Sequence, residues 1–205
     1  MKTKIIKINP KNPEISKIRM VSGILRSGGL VAFPTETVYG LGANALNASE
    51  VKKIFQAKGR PADNPLIVHI ANKNDVYKLA AEVPESAKKL MDTLWPGPLT
   101  IILKKSKLVP RITTGGRDTV AIRMPANKIA LALIREAKIP IAAPSANLFG
   151  KPSPTKAEHV IEDLGKKVNI IIDGGETKIG LESTIIDLTT TPHFVKTRFC
   201  YHNGP

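Results

Sequence analysis

The chain has 205 residues, 42% of them hydrophobic and only 4% aromatic, enough for one sizeable core resting on Ile, Val, Leu and Ala. That composition suits α/β layers whose strands are buried on both faces, and it speaks against a β-sandwich. Thirty-one Lys plus Arg against seventeen Asp plus Glu give a net charge of +14, which fits either an anionic partner or a lysine-rich solvated surface; no run of five like charges marks a nucleic-acid arm.

A single cysteine, Cys200, excludes an internal disulfide, and no Cys or Cys/His pair has zinc spacing. The amino terminus lacks the apolar stretch of a signal peptide, and no apolar run approaches membrane-spanning length. A soluble, cytoplasmic protein without membrane association is expected.

Ile5 to Ile8 reads as a first strand, followed by a helix with Asn12 as N-cap, Pro13 at its first position and Ile15, Ile18 and Leu25 on one stripe, ending at Gly28-Gly29. Leu30 to Phe33 reads as a buried strand that Pro34 stops, and the stretch Pro34 to Gly42, with two hydroxyls, a carboxylate and two glycines, as a binding turn. Ser49 is expected to cap a helix with Val51, Ile54 and Phe55 inward, running into Lys58-Gly59-Arg60-Pro61. Leu66 to Ile70 is a short strand with His69 near its end, and Ala87, Leu90, Met91 and Leu94 mark a helix that Trp95-Pro96-Gly97-Pro98 stops.

Further strands are expected at Leu99 to Leu103, Thr119 to Met124, Ile139 to Ala143, Val168 to Ile172 and Thr184 to Leu188. Helices are expected around Ile129 to Ile134 and from a Thr155/Glu158 capping box to Gly165. The fold class is thus α/β, a twisted mixed sheet flanked by helices, with residues 1–190 as one domain and 191–205 as a tail; there is no internal repeat or long linker.

Four polar loops follow apolar strands: Pro34 to Gly42, Arg123 to Pro125, Pro144 to Asn147 and Gly180 to Thr184. In a layered sheet such loops assemble a pocket, and Lys58, Arg60 and His69 would add charge suited to phosphates and a carboxylate. Each piece also has a plain reading. Lys58-Gly59-Arg60 could complement a helix dipole, His69 could be a satisfied core histidine, Arg123 could pair with Glu36 or Glu182, and Ser145 and Asn147 could be turn formers. There is no P-loop, no Gly-x-Gly-x-x-Gly after a strand and no Gly-x-Ser-x-Gly elbow, and Cys200 is a poor nucleophile, so positioning and charge neutralisation are the default mechanism.

The ordered stretches Pro34 to Gly42, Lys58 to Pro61, Asn64 to Leu66, Trp95 to Thr100, Val120 to Pro125, Ala143 to Asn147, Ser153 to Thr155, Asp173 to Gly175 and Glu182 to Thr184 together resemble the YrdC family of threonylcarbamoyl-AMP synthases, the archaeal-type catalytic domain in particular. The resemblance implies a large concave basic cavity and a reaction of L-threonine, bicarbonate and ATP, with Mg²⁺ and no tightly held protein-ligated metal. It further implies contact with tRNA, and a separate transferase that moves the threonylcarbamoyl group to a tRNA adenosine. Carried over by position, Thr35, His69, Arg123 and Ser183 would hold threonine. Lys58, Arg60, Asn64, Ser145, Asn147 and Ser153 would hold the nucleotide, with Lys58 and Arg60 catalytic and the Lys58 ammonium facing the pocket.

Family members commonly continue with an Arg-Pro-Gly segment, and longer archaeal and fungal relatives add a second domain. Residues 194–205 lack that tripeptide and carry Arg198 instead. Two other classes compete with the enzyme: an RNA-binding module using the same basic surface, and a carbamoyl-transferring domain like those of hydrogenase maturation proteins.

Overall fold

A computed structural model describes residues 2–191 and 194–196. In chain order the elements are β1 (Lys4–Lys7), α1 (Ile15–Arg26), β2 (Val31–Pro34), β3 (Tyr39–Asn44), α2 (Ala48–Lys58), β4 (Ile67–His69), a 3₁₀ turn (Lys73–Asp75), α3 (Val76–Leu79), α4 (Glu85–Leu94), β5 (Leu99–Lys104), β6 (Thr119–Arg123), α5 (Lys128–Ala137), β7 (Ile141–Ala142), α6 (Ala157–Leu164), β8 (Ile170–Asp173), β9 (Thr184–Asp187) and β10 (Phe194–Lys196). The strands form one mixed sheet in the order β1-β8-β2-β3-β7-β4-β6-β5-β9-β10.

Alternation along the strands sorts side chains into two cores. Val31 and Phe33 of β2 join Ile170 and Ile172 of β8 against α1 and α5, while Leu30, Ala32 and Ile171 face the opposite layer of α2, α4 and α6. Helical spacing does the same on the covering layers: Ile18, Val21 and Leu25 of α1 meet Ile129, Leu133 and Ile134 of α5. No helix among the described residues is long and apolar enough to cross a membrane.

The expected binding turn is a β-hairpin. Pro34 of β2 pairs with Tyr39 of β3 and Val31 with Gly42, so Thr35 to Val38 are the connection and Tyr39 to Gly42 belong to a strand. Glycine suits that strand because a Cβ on Gly42 would lie 2.8 Å from both Ile141 Cγ2 and Phe33 Cε1.

Three expected helix starts are displaced. α1 begins after Glu14, and Ile15 is exposed. Asn47 caps α2 by accepting from Ser49 N at 3.1 Å, so Ser49 lies inside the helix. Lys156, with no side-chain cap bond, occupies the N-cap of α6, while the Thr155 carbonyl accepts from Thr177 N at 2.9 Å; there is no capping box.

Candidate active site

The pocket opens where β4 and β6 end beside the β2–β3 turn. These two strands run parallel with His69 and Arg123 as register partners, so a single alignment of the ladder sets an imidazole and a guanidinium side by side. A cleft of about 330 Å³ forms there, at the small end of the range for small-molecule sites. Thr35, Arg60, Asn64, His69, Arg123, Ser145 and Ser183 all line it.

Arg123 is held from three directions. Its Nη2 donates to Glu36 Oε1 at 2.6 Å, its Nη1 to Thr37 Oγ1 at 3.0 Å and its Nε to the Gly97 carbonyl at 3.4 Å. The guanidinium and the Glu36 carboxylate are both buried. Gly97 reaches that position because the turn after α4 docks on the end of β6, Gly97 N donating to Met124 O at 2.8 Å, while the Trp95 indole donates to Leu99 O at 2.7 Å. The Trp95 to Pro98 motif, which the sequence reads as a helix stop, thus also supplies an acceptor to a pocket residue.

The turn itself carries a directed hydrogen-bond chain. The Thr35 hydroxyl donates to Val38 O at 2.7 Å and accepts from Thr37 N and Val38 N, each at 3.2 Å, and it lies 2.9 Å from Thr37 Oγ1. Thr37 Oγ1 in turn accepts from Arg123, which ties the turn to the guanidinium. Thr35 reaches the pocket wall with its hydroxyl already engaged inside the turn.

His69 is buried; its Nδ1 lies 3.3 Å from Ile67 O, and its ring stands edge-on to Phe33 at 6.3 Å. Burial, with Arg123 adding to it, pushes its pKa down to about 3, so the imidazole is neutral. Ser183 Oγ sits 2.7 Å from Thr100 Oγ1 on β5.

The expected nucleotide residues divide into two groups. Arg60 Nη2 donates to Pro65 O at 3.1 Å, folding the segment after α2 so that Asn64 and Pro65 face the cleft. Gly115, at φ +59°, lies beneath that segment, where a Cβ would stand 2.4 Å from Asp63 O. Ser145 stands on the wall because its loop runs along β3, Leu41 N donating to Pro144 O and Ala146 N to Tyr39 O, each at 2.8 Å.

Lys58, Asn147 and Ser153 are set behind the wall, and the expectation that the Lys58 ammonium faces the pocket is corrected. It is buried under the 145–147 loop and donates to the carbonyls of Ser145 and Asn147 and, at 3.3 Å, to Asn147 Oδ1. Burial first, then the Arg60 charge, lowers its pKa to about 7. Asn147 Nδ2 donates to Leu148 O and Lys151 O, tightening the same loop. Ser153 Oγ donates to Glu182 Oε1 at 2.9 Å, and it is Glu182 that reaches the cleft.

Arg117 and Asp187 line the cleft without having been singled out in the sequence, Arg117 in a polar loop and Asp187 at the end of the apolar strand β9, while Glu182, weighed there as a partner of Arg123, lines it too. Phe194 also lines it, from β10, which no periodicity announces. Arg198 and Cys200 lie outside the described residues.

A family model, Sua5/YciO/YrdC, with the description telomere recombination, matches residues 23–197. The chain is 64% identical over 176 residues to a threonylcarbamoyl-AMP synthase of Pyrococcus abyssi, covering 86% of this chain and 52% of that protein. It is 58% identical over 181 residues to one of Bacillus subtilis, covering 87% and 51%. Its fold superposes on the crystal structure of P. abyssi Sua5 complexed with L-threonine with a TM-score of 0.92 at 61% identity, covering 94% of this chain and 56% of that one. The chain spans about half the length of these relatives. A helix-flanked mixed sheet of this likeness and a family match across most of the sequence place it: the chain belongs to the Sua5/YciO/YrdC family.

Proposed function

We propose that this chain forms threonylcarbamoyl-AMP and pyrophosphate from L-threonine, bicarbonate and ATP, feeding a separate transferase that modifies a tRNA adenosine. Residues 1–190 are read as one catalytic domain working in the cytoplasm. The observation that carries this reading is the register pairing of His69 with Arg123 in a cleft that Arg60, Asn64 and Ser145 also line, in a chain 64% identical to a named synthase.

The lining suits a ligand with an amino acid and phosphates, since it presents guanidinium groups, an imidazole, an amide and hydroxyls. Arg123 is the cation for the threonine carboxylate, and Ser183 is a hydroxyl beside it. Neutral His69 adds no second positive charge near the amine, which must be unprotonated to add to bicarbonate. The amine nitrogen bonds to the bicarbonate carbon as one C–O bond breaks and water leaves, giving the carbamate; a carbamate oxygen then attacks the α-phosphorus and pyrophosphate departs with its bonding electrons. Charge grows on phosphate oxygens, where Arg60 and, through the loop it anchors, Lys58 favour the transition state. Because carbamates decompose in water, a walled cleft matters as much as any acid or base.

Magnesium is assigned to the triphosphate as part of the substrate. The carboxylates on the cleft wall are Glu182, already bonded to Ser153, and Asp187, and among the described residues no three His, Cys, Asp or Glu side chains group together. A bare RNA-binding module has less support, since the relatives carry a synthase name and the polar groups line a recess rather than an aromatic platform. Incubation with ATP, Mg²⁺, bicarbonate and labelled threonine is expected to release pyrophosphate only when threonine is present. No threonine-dependent release from folded protein overturns the proposal.

A further inference from the structure

We propose that Glu36 is a positioning residue: it fixes the Arg123 guanidinium so that the remaining N–H donors of that side chain face the cleft and grip the threonine carboxylate. The inference rests on the reading of Arg123 as the carboxylate partner. It assigns a task to the one acidic side chain of the β2–β3 turn.

The donor count gives the first argument. A guanidinium has five N–H groups, and Gly97 O, Thr37 Oγ1 and Glu36 Oε1 take three, leaving one on each terminal nitrogen. Arg123 lines the cleft and Glu36 does not, so the carboxylate holds the guanidinium from behind.

Stability supplies the second argument, by failing to explain the pair. Glu36 Oε2 is buried with no hydrogen-bond partner, and its side chain is 9% exposed. A buried ion pair gains little over apolar packing, and an orphaned carboxylate oxygen worsens the balance. The surroundings hold this costly group tightly: Ile179 N donates to the Glu36 carbonyl and Gly180 N to that of Thr37, both at 3.0 Å, so a second chain segment clamps the turn. A side chain kept buried at such cost, 2.6 Å from a pocket cation, is placed to orient it.

Electrostatics supplies the third. Glu36 neutralises Arg123 from the far side, so the pocket presents directed donors without an unbalanced charge that would attract phosphate into the threonine position. Thr37, bonded to the same guanidinium, sets its second edge, and loss of Glu36 frees the fork to rotate about its Thr37 and Gly97 contacts.

The test measures threonine binding by calorimetry and the threonine and ATP KM values for the wild type, Glu36→Gln and Glu36→Asp, with thermal unfolding of each. Glu36→Gln keeps the shape and one acceptor oxygen; Glu36→Asp keeps the charge but withdraws it by a methylene. Both variants are expected to weaken threonine binding and raise its KM about tenfold or more, while the ATP KM stays within about twofold, with Glu36→Asp the milder. Equal rises in both KM values, or a threonine KM within about twofold of wild type, overturn the inference. If neither variant folds, Glu36 is a structural residue and the inference also falls. Wild-type protein that binds no threonine defeats the underlying reading of Arg123 and this inference with it, whereas threonine binding without pyrophosphate release defeats only the proposed reaction.

Discussion

Replacing Lys58 by Met tests the buried-ammonium geometry through its pH dependence. Lys58 goes from an ordinary 10.5 to about 7 in the folded chain, so between those values the unfolded chain holds a proton that the folded chain lacks. Stability contributed by this group therefore rises with pH from about 7 towards 10.5. The slope is at most about 1.4 kcal/mol per pH unit, giving about 2 kcal/mol between roughly pH 7 and 9.

The variant removes the titrating group and leaves the carbonyls of Ser145 and Asn147 without their donor, a loss of about 1–3 kcal/mol each. Near pH 7 that loss is offset by relief of about 4 kcal/mol of charge burial, so the two proteins should be of similar stability there. At about pH 9 the wild type should be the more stable by about 2 kcal/mol. Urea unfolding of both proteins at the two pH values reads this as a difference of differences, which cancels all other titrations. Parallel pH slopes would show that the ammonium is not desolvated and would refute the reasoning.

His69 gives the opposite experiment in acid. With its folded pKa near 3 and the ordinary value 6.5, its contribution is fully present above 6.5 and is lost as pH falls towards 3, and His69→Gln should flatten that part of the urea-midpoint profile. Gly115→Ala places a methyl at a φ of +59° and 2.4 Å from Asp63 O, so the Asn64–Pro65 segment must move. A loss of about 1–3 kcal/mol in thermal unfolding is expected, together with a raised ATP KM and an unchanged threonine KM.

Strongly periodic segments were legible from sequence. The stripes Val51/Ile54/Phe55 and Ile129/Leu133/Ile134 bury as their spacing implies, whereas of Ala87, Leu90, Met91 and Leu94 only Ala87 and Met91 bury fully and Leu94 is exposed. What failed was competition over single polar groups. Thr155 and Glu158 have capping-box spacing, yet the chain gives the Thr155 carbonyl to Thr177, a partner 22 residues away that no local pattern announces. Gly40 and Gly42 suggest a loop, whereas they allow β3 to pass close to Phe33 and Ile141.

Of the residues singled out in sequence, Thr35, Arg60, Asn64, His69, Arg123, Ser145 and Ser183 line the cleft and Lys58, Asn147 and Ser153 do not, and none of the geometry was legible. Arg123 had Glu36 and Glu182 as possible partners, and only the β2–β3 hairpin, bent back towards the end of β6, selects Glu36. Lys58 ends a helix whose final turn would ordinarily face water. The Ser145–Asn147 loop, more than eighty residues later, closes over it and makes its ammonium an internal strut.

The order of strands in the sheet has a consequence for how the protein is made. Ile170–Asp173 lies between β1 and β2, pairing in parallel with Lys4–Lys7 on one side and with Val31–Ala32 on the other. On the ribosome both of these strands emerge with an open slot between them, and the strand that fills it follows only after α6. Until it arrives, two hydrogen-bonding edges and the apolar faces of Ile6 and Phe33 lack a neighbour, the exposed state that chaperones recognise. The cleft cannot form within this interval, because Ser183 on its lining is made later still.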